Sequence, residues 1–510
     1  MRIWALTVAA VIAVSSPLIT GEAGAVPITA PVEIDSGLLV GASENGIGVW
    51  ADIPYAAAPI GLLRWKPPQP AIRWSGKREA TISGPNCPQV VKGSGTNGGG
   101  VSSKGEEDCL TLQVFAPMGA KMAPVMVWLH GGANMTGAGS LRGYNGSAFA
   151  RDGVVLVAVN YRLGALGFFA HPALSKAAAP DELLANYGLM DQIAALKWVQ
   201  RNIKAFGGDP ANVTVFGESA GGQDTLALLS MPSTKGLFAK VIVESGVGWE
   251  EPVTLAQAEL AGKSLATNAG APADATPEQL RALNVDALLA ATTQAGRVID
   301  GKLLVESPTQ AFARGEEHDV PLIIGSNSWE ASLIAGYMAS PMGPKIFLGR
   351  QPDALKAAYA GEKLDDKALA YALFTDGVMA APARWYAGKA ARGAPSWLYH
   401  FSYVPSVLRQ TVPGAGHAAE IRYVFGSWKD ASGPTPDADT LALTKVMHAC
   451  WVAFAKDGRP DKCTPGGWPA YDRSSDQLME FGVSTGVRTH FRQPLLDAQE
   501  AAKADMLTGK

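Results

Sequence analysis

A serine framed by glycines, Gly217-Glu218-Ser219-Ala220-Gly221, is the segment whose residue types carry the most direct chemical meaning. On a sharp turn between a strand and a helix, such a serine presents its hydroxyl outward, and the glycines let strand and helix approach closely. The bare pattern is weak: with 57 glycines in 510 residues, roughly 0.3 matches are expected by chance. A second match does occur, Gly482-Val483-Ser484-Thr485-Gly486. Context separates the two. The first follows an apolar run at 213–216 and precedes a helix-compatible stretch at 223–229, whereas Arg488, His490 and Arg492 follow the second, which predicts a loop at Ser484. A serine hydroxyl is a poor nucleophile until an imidazole takes its proton, and seven histidines compete for that role. One of them opens His130-Gly131-Gly132-Ala133, whose small residues leave backbone N–H groups able to face a developing oxyanion.

The elements that must position these groups are legible in the apolar pattern. Compact runs at 125–129, 154–159, 213–216, 241–243 and 322–324 do not alternate with polar residues, which predicts strands buried on both faces. Leu189, Ile193, Leu196, Val199, Ile203 and Phe206 recur at helical spacing, and Gly207-Gly208-Asp209-Pro210 stops them. Strands alternating with helices imply an α/β fold, a large mostly parallel sheet with helices on both faces. Ligand sites in such sheets lie beyond the carboxyl ends of the strands. Short β-like runs with turn signals such as Asn45-Gly46 fill 32–75 and predict an N-terminal extension. Residues 254–295 read as a helical insertion beside the sheet, with Thr276-Pro277-Glu278-Gln279 as a capped start.

Composition bounds the function. Hydrophobic residues make up 47% and charged residues 17%, enough for a large core and against a disordered chain. The 43 basic and 46 acidic residues leave a net charge of −3, without the footprint of a nucleic-acid binder. Behind Arg2, residues 3–14 are almost wholly apolar, and Ala23-Gly24-Ala25 supplies small residues; residues 1–25 are expected to be a signal peptide cleaved after Ala25. The run is short for an uncleaved membrane anchor, and no later stretch is long and apolar enough to span a bilayer. Four cysteines, Cys87, Cys109, Cys450 and Cys463, agree with a secreted or periplasmic setting. They lack metal-ligand spacing, and of three connectivities sequence-local pairing is the simplest. No metal or cofactor motif is legible: the glycine-rich 93–100 lacks the Lys-Ser/Thr ending of a phosphate loop, and no G-x-G-x-x-G follows a strand.

Beyond these features, the sequence resembles the type-B carboxylesterase family, the cholinesterase-like branch of the α/β-hydrolases. The resemblance rests on Ile53-Pro54-Tyr55-Ala56 with Arg64, on Glu107-Asp108-Cys109-Leu110-Thr111-Leu112, on Asn160-Tyr161-Arg162 and on Asn186-Tyr187-Gly188-Leu189 with Asp191-Gln192. It continues through Phe206-Gly207-Gly208-Asp209-Pro210, the serine segment and Trp468-Pro469-Ala470-Tyr471. It implies one α/β-hydrolase domain over 26–510 and a serine esterase acting on small carboxylic esters through an acyl-enzyme, with no cofactor. It further implies a triad of Ser219 (nucleophile), Glu330 (acid) and His417 (base), the last within Gly414-Ala415-Gly416-His417-Ala418-Ala419-Glu420. The oxyanion donors it implies are the amides of Gly132, Ala133 and Ala220, with Glu218 and Ser245 beside the triad.

The acid segment, Gly325-Ser326-Asn327-Ser328-Trp329-Glu330-Ala331, departs from the family pattern of an acidic residue before the Glu and a glycine after it. Residues 88–108, the loop that carries a choline-binding tryptophan in cholinesterases, contain no aromatic residue, which argues against choline esters. Lys92 and Lys104 make that loop a candidate gorge wall, and Leu333, Ile334, Tyr337 and Met338 are candidates for an apolar pocket or for core. The alternatives are a non-catalytic adhesion or binding member of the same fold, which would typically lack the serine, and an amidase or lipase using the same triad.

Overall fold

The computed structural model describes residues 27–91, 103–249, 253–428 and 435–507. The expected signal peptide, Lys92 and the glycine-rich 93–100 lie outside them. The strands are β1 (Val32–Ile34), β2 (Gly37–Glu44), β3 (Ile47–Pro54), β4 (Lys77–Ala80), β5 (Thr111–Pro117), β6 (Ala123–Leu129) and β7 (Val155–Val159). They continue as β8 (Gly208–Glu218), β9 (Lys240–Glu244), β10 (Leu322–Asn327), β11 (Ser396–Phe401), β12 (Gln477–Phe481) and β13 (Gly486–Thr489). Among the described residues they form one sheet of 13 strands, in the order β1-β2-β3-β5-β7-β6-β8-β9-β10-β11-β12-β13, with β4 beside β2.

The middle of this sheet, from β7 through β6, β8, β9, β10 and β11 to β12, is parallel throughout. Every residue of β7, β9 and β10 is buried, as the unbroken apolar runs require when helices cover both faces. Towards the N-terminal edge β1, β2, β3, β5 and β7 pair antiparallel, giving the expected extension. Asn45 (φ 51°) and Gly46 (φ 78°) make the two-residue turn between β2 and β3.

The periodic segment forms the helix Tyr187–Asn202 and a 3₁₀ turn, Ile203–Phe206, closed by Gly207 in the left-handed region (φ 82°). Gly208-Asp209-Pro210 does more than stop the helix, since β8 begins at Gly208 and is longer than its apolar core suggested. In the insertion, Thr276 caps the helix Pro277–Arg281 through a capping box with Gln279. The Lys104 ammonium pairs with Asp286 in the helix Val285–Ala291 (2.9 Å), tying the first disulfide loop to the insertion. Met338 is buried core in a small satellite cluster, with Ile334 packed against it, while Tyr337 is exposed.

Two disulfides, Cys87–Cys109 and Cys450–Cys463, follow the sequence-local pairing. No helix among the described residues is long and apolar enough to cross a membrane.

Candidate active site

Four adjacent parallel strands, β6, β8, β9 and β10, deliver the candidate residues at their carboxyl ends. β6 runs into His130-Gly131-Gly132-Ala133, β8 into Ser219, β9 into Ser245, and β10 into Ser328-Trp329-Glu330. This is where an open parallel sheet leaves a crevice.

Ser219 sits between β8 and the helix Ala220–Ser230 with φ 56° and ψ −123°, a backbone conformation an L-residue adopts only when its surroundings force it. Its N–H donates to the Glu244 carbonyl (2.9 Å), and its carbonyl accepts from Gln223 (2.9 Å). Glycines make the tight turn feasible. A Cβ on Gly221 would lie 2.0 Å from the Leu129 carbonyl oxygen, and one on Gly217 would lie 2.5 Å from the Gly221 carbonyl carbon. Ser219 is partly exposed while Glu218 and Ala220 on either side are buried. Ser484, in the other G-x-S-x-G match, lies exposed in the loop between β12 and β13.

His417 and Glu330 meet directly: Nδ1 of the imidazole lies 2.6 Å from Glu330 Oε2. Glu330 is fully buried, and its other oxygen accepts from the Ser245 hydroxyl (2.7 Å) and the Asn327 N–H (2.6 Å). Three donors thus hold the carboxylate in place. Trp329 and Ala331 do not displace it. The Trp329 N–H donates to the Ala415 carbonyl (2.8 Å), its ring packs on Tyr371, and the Ala331 N–H donates to Thr375 Oγ1 (3.2 Å).

The acid and histidine segments are laced together by groups the sequence did not single out. Ser328 Oγ accepts from the Ala415 N–H (2.9 Å), Ser332 Oγ accepts from the His417 N–H (2.8 Å), and Asn327 Nδ2 donates to the Gly416 carbonyl (2.8 Å) and to Glu420. The signal was present, since Asn327, Ser328 and Glu420 all lie inside the quoted segments, but nothing in linear order says which side chains face each other.

The other imidazole nitrogen, Nε2, lies 3.0 Å from Glu218 Oε1, in an orientation that makes no hydrogen bond. No hydrogen bond joins Nε2 to the Ser219 hydroxyl among the described residues. Burial alone would lower the imidazole pKa, but Glu218 and Glu330 outweigh it and push it up to about 10. Burial pushes Glu218 up to about 8, against the pull of His417. Glu244 and Glu420 complete a cluster of buried carboxyls. Glu244 Oε1 accepts from Trp451 Nε1 (2.7 Å), and burial together with the neighbouring carboxylates raises both groups.

The remaining histidines have other partners. Burial pushes His130 down to about 4; its ring stacks on Tyr161 and its Nδ1 meets the Gly131 carbonyl. His448 Nδ1 meets the Val424 carbonyl, and His318 Nε2 the Met231 carbonyl.

Gly132 (φ 105°) and Ala133 (φ 57°) turn the chain after β6, held by donation from the Met135 and Thr136 amides to the Gly132 carbonyl. None of the amides of Gly132, Ala133 and Ala220 is engaged by another described residue. A Cβ on Gly131 would lie 3.0 Å from Ser219 Cβ, so the glycine segment closes directly over the serine. Ser219, Ala220, Ala133 and Ser245 share the wall of a cavity of about 830 Å³.

A mostly parallel sheet with a serine on a glycine-framed strand-to-helix turn defines an α/β-hydrolase. The comparisons carry this to a family: the carboxylesterase family profile matches residues 29–360 and 351–498, and the chain belongs to that family. It is 34% identical over 505 residues to the fumonisin B1 esterase of Sphingopyxis macrogoltabida, covering 91% of this chain and 90% of the relative. It is 35% identical over 498 residues to the para-nitrobenzyl esterase of Bacillus subtilis, covering 91% and 98%. Among solved structures, a PNB esterase superposes with a TM-score of 0.77 at 33% identity, over 91% of this chain and 99% of the other. A Geobacillus stearothermophilus carboxylesterase does so with a TM-score of 0.80 at 32% identity, over 92% and 99%. Hydrolysis of carboxylic esters is thus the activity of this chain.

Proposed function

We propose that this protein is a secreted or periplasmic serine esterase working through Ser219, His417 and Glu330. Residues 1–25 act as the leader and residues 26–510 as one catalytic domain. The observation that carries the reading is the 2.6 Å contact between His417 Nδ1 and Glu330 Oε2, taken with a serine held at φ 56° at the end of a nearby strand of the same sheet. Glu330 fixes the imidazole tautomer, with the proton on Nδ1, and leaves Nε2 as the base. In the working state Nε2 turns from Glu218 towards Ser219 while Nδ1 keeps its bond to Glu330. Ser219 Oγ then attacks the ester carbonyl, its proton passing to Nε2, and the tetrahedral oxyanion takes hydrogen bonds from the amides of Gly132, Ala133 and Ala220. Return of that proton to the alcohol oxygen expels the alcohol and leaves an acyl-serine. Water, deprotonated by the same imidazole, releases the acid and restores Ser219. Two disulfides and one continuous sheet support the exported, single-domain reading.

The test is hydrolysis of p-nitrophenyl butyrate together with labelling by a fluorophosphonate probe. Ser219→Ala is expected to lose about 10⁴–10⁶ in turnover and all labelling. A Ser219→Ala protein that turns over as fast as the parent would overturn the assignment.

A further inference from the structure

The cavity that opens on Ser219 has an uneven charge. Among the described residues no Asp or Glu lines it, yet Arg350 and Lys503 both do. The whole chain has more acidic than basic residues, 46 against 43, so this lining departs from the molecule's own balance. Both cations are exposed and lie just past helix ends, after Gly343–Gly349 and Gln493–Ala501, where the last carbonyls favour positive charge. Helix ends explain why cations are tolerated there, but not why both open on one cavity.

Three acidic side chains that flank lining residues in sequence are committed elsewhere. Asp353 pairs with Lys356 (2.8 Å), Glu500 with Arg384 (2.8 Å) and with Arg473, and Asp376 with Arg492 (2.7 Å). No ion pair engages Arg350 or Lys503 among the described residues. Trp249, Leu333, Phe347 and Phe374 give the same cavity apolar wall, and Gln223, Gln351 and Gln499 add neutral polar groups. A cavity lined by apolar side chains and two unpaired cations, with no carboxylate among its described lining, complements a substrate with a hydrocarbon body and an anionic group.

We infer that the preferred substrates are esters that keep a free carboxylate on the part of the molecule lying along this cavity, with Arg350 and Lys503 receiving it. The inference rests on the reading of Ser219 as the nucleophile. Rim charges of this kind act mainly on capture, so their effect falls on kcat/KM and weakens with salt.

The test compares p-nitrophenyl butyrate with two charged relatives. In the mono-p-nitrophenyl ester of glutaric acid the acyl part carries the carboxylate, and in the butyryl ester of p-hydroxybenzoic acid the alcohol part does. Relative to reference rates in which a serine esterase of neutral cavity treats the esters by leaving group alone, one of the charged esters is expected to be favoured about tenfold at low salt. The Arg350→Gln/Lys503→Gln double variant is expected to reduce that charged-to-neutral ratio of kcat/KM about tenfold, as is about 0.5 M salt in the parent. Arg350→Lys, which keeps the charge, preserves the ratio. Equal ratios in the parent and the double variant, or a ratio indifferent to salt, would overturn the inference while leaving the esterase reading intact. Absence of turnover on all three esters, without fluorophosphonate labelling, would instead sink the esterase reading.

Discussion

At the scale of single residues, the decisive feature is where the second nitrogen of His417 points. One carboxylate, Glu330, holds Nδ1 at 2.6 Å, and another, Glu218, lies 3.0 Å from Nε2. A base must be unprotonated to accept the serine proton, so activity falls as pH drops through the imidazole pKa. Glu218 in its charged form raises that pKa by stabilising the imidazolium, and removing the charge lowers it. Glu218→Gln is therefore expected to move the acid limb of the kcat/KM profile to lower pH by about one unit or more. An acid limb that stays in place in this variant would show that Glu218 does not govern the base.

Elements set the distances over which these residues act. The turn at Ser219 is feasible because Gly221 lies where a side chain would strike the end of β6. Gly221→Ala places a Cβ 2.0 Å from the Leu129 carbonyl oxygen, backbone that cannot give way without moving a central strand. A loss of about 3 kcal/mol or more is expected, read as a large fall in Tm or as failure to fold. Gly143→Ala, whose Cβ meets nothing within 4 Å, is expected to leave Tm nearly unchanged. The motif residues carrying the family resemblance prove to be ties between elements. Arg162 grips Asp191 with two hydrogen bonds (2.8 and 2.7 Å) in a fully buried pair, and Arg64 Nε reaches Glu107 (2.7 Å) while its Nη1 donates to the Arg281 and Leu283 carbonyls. The second disulfide anchors the helix Ala438–Asp457 to the loop after it, and Cys450→Ala/Cys463→Ala is expected to cost about 3 kcal/mol in the chain-entropy account, measured by denaturant unfolding.

For the molecule as a whole, the buried acid cluster makes stability depend on pH. Glu420 is pushed up to about 7, Glu218 to about 8 and His417 to about 10, from 4.5 for the glutamates and 6.5 for the histidine. Each group holds its proton more tightly folded than unfolded, so its contribution is complete below the unfolded value and is lost as pH rises through the folded one. Tm is expected to fall progressively from about pH 5 to about pH 10. Glu244 has one oxygen on Trp451 and the other without a hydrogen-bond partner. Glu244→Gln keeps an acceptor for Trp451 and removes a carboxyl that burial makes hold its proton, and is expected to make the fall in Tm with rising pH shallower. A fall as steep as the parent's would show that Glu244 does not take up a proton on folding.

How much of this could be read without coordinates follows from the range over which each feature is specified. The buried strands, the capped helices and the serine turn depend on neighbours a few residues away, so composition and periodicity carry them. Ser219, Glu330 and His417 were legible only because local segments match a family pattern, not because anything in linear order brings residues 87 apart within 2.6 Å. Which carboxylate faces Nε2, which hydroxyls lace the acid and histidine segments, and which cations open on the serine's cavity are products of sheet order and helix packing. The sequence by itself determined the chemistry available and the elements that could carry it. Only the tertiary structure decided the pairings, because the energy of a buried charge depends on what stands within a few ångströms in space.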